Sequence, residues 1–430
     1  MATTYLQRTE SAGNRRTFTW SAWVKISRVD ITKFLAACSY SSSDESYFMI
    51  NSSAQLGWES STSNDGTVRT NRLFRDTNAW YHIVLAVDTT QATAENRIKF
   101  YVNGVQETSM STATYPAQNH QLYWNVGGTY YPRIGKRHAS GNEWDGSMSH
   151  VSHIDGTQEL PTIFGETDST TGEWKIKTTI TPSSGWGTNG YHILKDGNSV
   201  TDQSGQGNNW SVGGGTLTKT EDNPSNVFAT LNPLVPYSSN YNFYNGNTTV
   251  ENDGSSASWT TRWGVSTLGM EAGKFYAEAK VADIGTNQMY ALGLVKDISS
   301  FAPSSSVGSN AIGYYSTGDI YNSYGNDQSG LSSFTTNDII GIAFDKDNGT
   351  AQWYKNGSTI GSAVTGLSTD GTWFIVTNFY SNGKVYHNFG NGYFGSTQIS
   401  SAGSNASGIG IFEYDVPSGY TALLTKGLNL

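Results

Sequence analysis

Between Asp338 and Gly357 apolar and polar residues alternate with a period of two. Ile340, Ile342 and Phe344 therefore share one face of an extended strand. Asp347-Asn348-Gly349 follows, and these residues accept the positive φ of a tight hairpin turn. Ala351 to Tyr354 reads as the return strand and Asn356-Gly357 as a second turn of the same chemistry. The stretch thus predicts a hairpin and then a third strand. A similar scheme lies far upstream. Ile83, Leu85 and Val87 alternate, Asp88-Thr89-Thr90 turns the chain, Ile98, Phe100 and Val102 alternate, and Asn103-Gly104 turns it again. Two copies of strand, turn, strand, Asn-Gly predict two domains of related architecture. The plainer alternative is that any antiparallel sheet yields such spacing.

Elsewhere, Phe18, Trp20, Ala22, Val24 and Ile26 alternate with Thr19, Ser21, Trp23 and Lys25, which predicts a strand with one buried face. Trp124 to Trp144 is a loop region rich in Gly, Tyr and basic residues, and a strand from Ser147 to Ile154 follows it. From 166 to 250, alternation at Trp174, Ile176 and Thr178 is interrupted by Pro182, Pro224, Pro233 and Pro236, the pattern of an irregular β-rich connector. The chain has 430 residues, 14% charged and 13% aromatic, with 48 Gly, a composition that suits sheets with polar uncharged turns. A net charge of −9 argues against a nucleic-acid partner, which needs a basic face. One cysteine, Cys38, excludes an intrachain disulfide framework. No apolar run predicts a signal peptide or a membrane span, so the expectation is synthesis in a cytoplasm and, for work outside it, release by lysis or another non-classical route.

Thr19-Trp20-Ser21-Ala22-Trp23-Val24-Lys25, Arg97 to Gly104, Ile134-Gly135-Lys136 and Trp144 to Met148 resemble a laminin-G-like, concanavalin-type sandwich over residues 1–165. Gly273 to Glu278, Leu292-Gly293-Leu294, Asn337 to Gly341, Trp353 to Gly357, Asn388-Phe389-Gly390 and Pro417 to Tyr420 resemble a SPRY domain, with no proline before Trp373 where many relatives have one. Asp202 to Trp210 and Phe228 to Leu234 look like a connector of tailed-phage structural proteins, especially marine ones. The fold expected is all-β: two concanavalin-like, jelly-roll antiparallel sandwiches at 1–165 and 251–430, joined by the connector at 166–250. The resemblance implies a virion protein, made in the host cytoplasm, assembled with other virion proteins and itself a homo-oligomer. As a tail fibre or capsid appendage it would contact host-surface carbohydrate. The alternative is a decoration subunit without a ligand.

Two aromatic clusters are the candidate ligand sites: Tyr130, Tyr131 and Arg133, and Tyr315, Asp319, Tyr321 and Tyr324. Tyrosine rings offer faces for stacking and hydroxyls for hydrogen bonds, although at least half of these aromatics are expected in the core or an interface. An enzyme is the rival. Glu143-Trp144-Asp145-Gly146-Ser147-Met148 begins the Glu-x-Asp-x-x-Glu pattern of endoglycanases, but Met148 stands where the acid belongs and a thioether donates no proton. Glu251-x-Asp253 and Glu413-x-Asp415 end on Ser256 and Ser418, and no catalytic residues are expected. Gly390 to Gly395 spells a dinucleotide fingerprint but precedes no good helix. His150 and His153, three apart on a strand, point to opposite faces and are expected to face solvent or cap turns. No cofactor or metal is expected, although the laminin-G resemblance leaves Asp88 and Asp145 open as members of a structural calcium site.

Overall fold

The computed structural model describes residues 3–61, 65–138, 141–235, 241–254, 263–286, 289–298, 311–322 and 327–425. The chain divides into two units, Met1–Lys219 and Thr220–Leu430. Each is built from antiparallel sheets facing one another across an apolar core. Among the described residues there is no α-helix.

In the first unit an eight-stranded and a six-stranded sheet enclose the core. Phe18, Trp20, Ala22, Val24 and Ile26 of Thr17–Ile26 point inward, and Trp20 meets Phe48 of the facing sheet edge-on at 5.7 Å. The other face of this strand is also covered, which departs from the expectation of one buried face. Thr19, Ser21, Trp23 and Lys25 are all buried. Residues 157–187 run across them. Glu159 donates its backbone N–H to the Thr19 hydroxyl (2.8 Å), and Trp174 donates its indole N–H to His82 Nδ1 (3.0 Å). Covered on both sides, that face can hold serine, threonine and histidine only because each hydroxyl and imidazole finds a partner.

The region read as a connector is shared between the units. Tyr191–Ile193 pairs with Gly146–Asp155, and Ser211–Gly214 pairs with Tyr5–Gln7, so both complete sheets of the first unit. Tyr241–Tyr244 and Thr249–Asn252 extend the larger sheet of the second. The short period-two signals and the prolines concealed this, because three- and four-residue strands carry too few positions to show which sheet they join.

The second unit packs an eight-stranded sheet on a five-stranded one. Phe275, Ala277, Ala279 and Val281 of Lys274–Asp283 face Leu292, Leu294 and Trp373. Trp353 is fully buried and its indole N–H donates to the Leu292 carbonyl at 2.9 Å.

The two Asn-Gly turns match in detail. Gly146–Asp155, Thr17–Ile26, Trp80–Asp88, Ile98–Val102 and Val105–Glu107 lie side by side in the first unit. Gly383–Asn388, Lys274–Asp283, Ile339–Asp345, Thr350–Lys355 and Ser358–Val364 do so in the second, in the same order. Asn103 and Gly104 have φ of 48° and 81°, and Asn356 and Gly357 have 48° and 80°. Each asparagine side chain accepts from the backbone N–H opposite (His82 or Ile339, 2.8 Å). A methyl group on Gly357 would sit 2.6 Å from the Tyr414 ring, and one on Gly104 2.6 Å from Trp174. Gly357→Val combines that clash with a strained positive φ. It is expected to destabilise the second unit by about 1–3 kcal/mol, and an unchanged thermal melt would refute the turn assignment.

Candidate functional site

The strand Lys33–Ser41 ends with a register shift between Ser39 and Ser41, which turns Tyr40 outward at 55% exposure. The chain reverses at once, and Ser41 Oγ donates to Asp44 Oδ2 at 2.9 Å. A long loop from Thr114 to Tyr131 then brings Tyr123 and Tyr130 alongside. The Tyr130 ring lies 5.6 Å from Tyr40, tilted by 37°, and 6.0 Å from Tyr123, nearly parallel at 15°. Parallel rings at that separation are offset, so part of each face stays uncovered. The result is a stepped shelf of three tyrosines.

Buried groups hold this loop in place. Asp65, 1% exposed, accepts the Tyr123 backbone N–H at 3.1 Å and the Ser46 hydroxyl at 2.6 Å, and lies 2.6 Å from His120 Nε2. The Arg15 guanidinium donates to the Leu122 carbonyl (2.9 Å) and to Gln121, while Leu122 returns its N–H to the Arg15 carbonyl (3.0 Å). At the rim lies the Asp44 carboxylate, in the turn just after Tyr40, close enough for its charge to act on the hydroxyls of Tyr123 and Tyr130. Partial burial, and then the charge of Asp44, raises the pKa of both Tyr123 and Tyr130, so their hydroxyls stay protonated donors.

The structure separates the first predicted cluster. Tyr130 leans against the core and joins the shelf, whereas Tyr131 and Arg133 lie on the outward side of Tyr131–Ile134. There the Arg133 guanidinium sits 5.9 Å over the Tyr131 ring and donates to Ser39 Oγ at 2.8 Å. Tyr40 and Tyr123 were missed. Tyr40 follows Ser39 and precedes three serines, a weak sign of an aromatic at a polar turn, and nothing in Leu122-Tyr123-Trp124 tells which ring is outside.

The second predicted cluster offers less. Tyr315 is 1% exposed, packed with Trp263, Val265 and Val376, so it presents no face to a ligand. It instead supports Tyr321, 39% exposed, whose ring meets it edge-on at 5.1 Å. Asp319 sits in the turn, where its carboxylate accepts from the Thr317 hydroxyl at 2.8 Å and its carbonyl from the Tyr315 N–H. Tyr324 lies outside the described residues.

The acidic candidates have structural partners. Glu143 is 2.8 Å from Lys136, and Glu251 lies 3.4 Å from Lys384. Asp415 accepts from Ser404 N–H and Oγ (2.6 and 2.9 Å). The two residues left open for a calcium site also have neighbours of their own. Asp88 accepts from Thr90 and Gln91 at 2.6 Å each, and Asp145 is half-buried near Lys33 and Arg28. Among the described residues no group of three or more His, Cys, Asp or Glu is placed to hold a metal ion. His153 is buried against Phe18 and Trp124, and His150 occupies a bulge at φ 51° with its ring 5.8 Å from His192. Neither is the solvent-facing residue expected. The covering segment 157–187 closes the outer face, and the inner face is core.

These features define a protein of two antiparallel β-sandwiches with an aromatic shelf on the first. Residues 1–160 match the family model described as Concanavalin A-like lectin/glucanases superfamily, and residues 274–392 match that of the SPRY domain. The chain therefore carries an N-terminal laminin-G/concanavalin-like domain and a C-terminal SPRY domain. Among solved structures it is similar to the SPRY domain of human HERC1 (21% identity, 34% of this chain and 91% of that one, TM-score 0.27). It is also similar to the heptameric SAP-like pentraxin of Limulus polyphemus (16% identity, 50% and 90%, TM-score 0.31). A third is a putative carbohydrate binding protein of Bacteroides ovatus (15% identity, 50% and 57%, TM-score 0.34). A search of curated protein sequences finds no match.

Proposed function

We propose that the protein is a non-enzymatic adhesin that holds host-surface glycan against Tyr40, Tyr130 and Tyr123, carried on a tailed-phage virion as part of a tail fibre or capsid appendage. The observation that supports the binding role is the shelf itself: three offset rings, two protonated hydroxyls and a carboxylate, on a loop fixed by Asp65 and Arg15. A site held in position before its ligand arrives loses less entropy on binding. The virion setting rests on the likeness of Asp202 to Trp210 to phage connectors. It supplies the other partners of the reading, namely virion proteins and further copies of this chain, with release by lysis. Repetition on a particle raises the avidity of a weak site by about 10²–10⁴-fold.

A glycan array probed with the purified oligomer tests this reading. Wild type is expected to bind, and Tyr130→Ala to weaken binding roughly tenfold or more, through loss of a stacking ring and of its neighbours' support. Tyr321→Ala reports on the second cluster. Release of reducing sugar from host polysaccharide would overturn the non-enzymatic reading. The exposure of Tyr40 and Tyr131 favours a second reading, in which these rings anchor neighbouring subunits of a decoration protein. Silence across the array, with loss of particle incorporation in the same variants, would support it.

A further inference from the structure

We propose that the tyrosine shelf selects uncharged pyranose units over acidic ones, with Asp44 as the residue that sets this preference. The inference rests on the adhesin reading above. A pyranose presents an apolar C–H face and a rim of hydroxyls, and the shelf offers the complement of both. The offset faces of Tyr40, Tyr130 and Tyr123 lie within 6.0 Å of one another in sequence across the rim. Asp44 sits at their edge, half-buried, in the turn that follows Tyr40, where it pairs with Ser41 and accepts from its hydroxyl at 2.9 Å. A carboxylate has about four lone-pair positions, and Ser41 takes one of them, so others remain for the hydroxyls of a sugar lying on the rings.

The charges nearby decide between sugar classes. Arg15 is a cation close to the shelf, and its guanidinium is directed at the carbonyls of Leu122 and Gln121 and at the Gln121 side chain. Arg133, one strand away, is tied to Ser39 and to the Tyr131 ring. A uronic or other acidic sugar on the shelf would thus bring its negative charge to Asp44 while the neighbouring guanidiniums are held by other groups. Placing like charges together is a common way for a site to reject a near-identical ligand.

The experiment pairs neutral oligosaccharides with their C6-oxidised uronate counterparts, for glucan, mannan and galactan oligomers of equal length. Binding to the full chain is measured at low and at high salt. Wild type is expected to prefer the neutral member of whichever pair binds by tenfold or more at low salt, and less at high salt, because screening weakens an exposed repulsion. Asp44→Asn keeps an oxygen to accept from Ser41, and is expected to bring the neutral-to-acidic ratio towards one. Equal or tighter binding of the uronate by wild type overturns the inference and leaves the adhesin reading standing. So does a preference that persists in Asp44→Asn with an unchanged melting profile. If no pair binds, the adhesin reading fails and the inference with it.

Discussion

Replacing Glu278 by alanine is expected to destabilise the second unit by about 3–5 kcal/mol, a fall of roughly 10 °C in its melting midpoint. The carboxylate is fully buried on the outer side of the larger sheet, and every group around it donates. Glu413 and Tyr414 give it their backbone N–H groups at 2.8 and 2.9 Å, Tyr276 its hydroxyl at 3.2 Å and Asn388 its amide at 3.3 Å. Removal takes the acceptor from the Glu413 and Tyr414 N–H groups and the Tyr276 hydroxyl, leaves the Asn388 amide only the Ile411 carbonyl, and releases the segment that carries Phe412, Tyr414 and Val416 across Tyr276 and Ala343. Glu278→Gln keeps the shape but turns an amide N–H₂ toward a donor, so an intermediate loss is expected. Burial pushes Glu278 up to about 7 against the pull of those donors. A carboxylate raised in this way contributes stability that is whole below pH 4.5 and lost as pH rises through 7. The gap between wild type and Glu278→Gln should therefore vary with pH between 4.5 and 7. Differential scanning calorimetry of the three proteins checks both statements, and a melt of Glu278→Ala within 2–3 °C of wild type would show that the carboxylate is not the fastening.

Mild acid is expected to unfold the first unit and spare the second. Burial lowers His82 and His153 to about 3, and His150 and His192 to about 4, all in the first unit. In the second unit only His387 is lowered in this way among the described residues, to about 3. A histidine depressed in the folded state stays neutral while the unfolded chain takes up its proton. Its contribution is whole above pH 6.5 and drains away as pH falls. At pH 4.5 this amounts to about 2–3 kcal/mol for each buried ring. Four such rings sum to a figure comparable with the whole stability of a domain. Glu10, raised to about 7 by burial, has the opposite sign and offsets roughly one of them. In the second unit Glu278 and His387 act in opposite directions, and the lowered carboxylates of Asp338, Asp345 and Asp415 add an acid loss confined to lower pH, below their ordinary range. Hydrogen exchange resolved by peptide, at pH 7 and pH 4.5, should show protection lost first from strands such as Thr17–Ile26 and Gly146–Asp155. Loss beginning in Lys274–Asp283 would contradict the assignment.

The sheets were legible where the chain alternates over several residues, and the paired Asn-Gly turns proved equivalent down to their φ values and the bond each asparagine accepts. What period two does not reveal is whether a polar face meets water. Thr19 and Ser21 read as exposed because they are polar, yet a covering segment some 140 residues later in the chain meets Thr19 directly and closes over the His82 that pairs with Ser21. The same limit applies to the candidate site. Tyr130 was legible as part of an aromatic loop, but the shelf needs Tyr40 from a bulged strand end, Tyr123 from the far end of the loop and Asp65 beneath it. These residues are brought together by register, which no local pattern encodes.

Tyr5–Gln7 is hydrogen-bonded on one side to Tyr131–Ile134 and on the other to Ser211–Gly214. During synthesis, that early strand waits for the last stretch of its own unit before it can be flanked on both sides. Until then an N-terminal edge with open amides is presented to every other nascent copy on the same messenger. An edge that closes last is the place where two folding copies are most prone to pair with each other instead of with themselves.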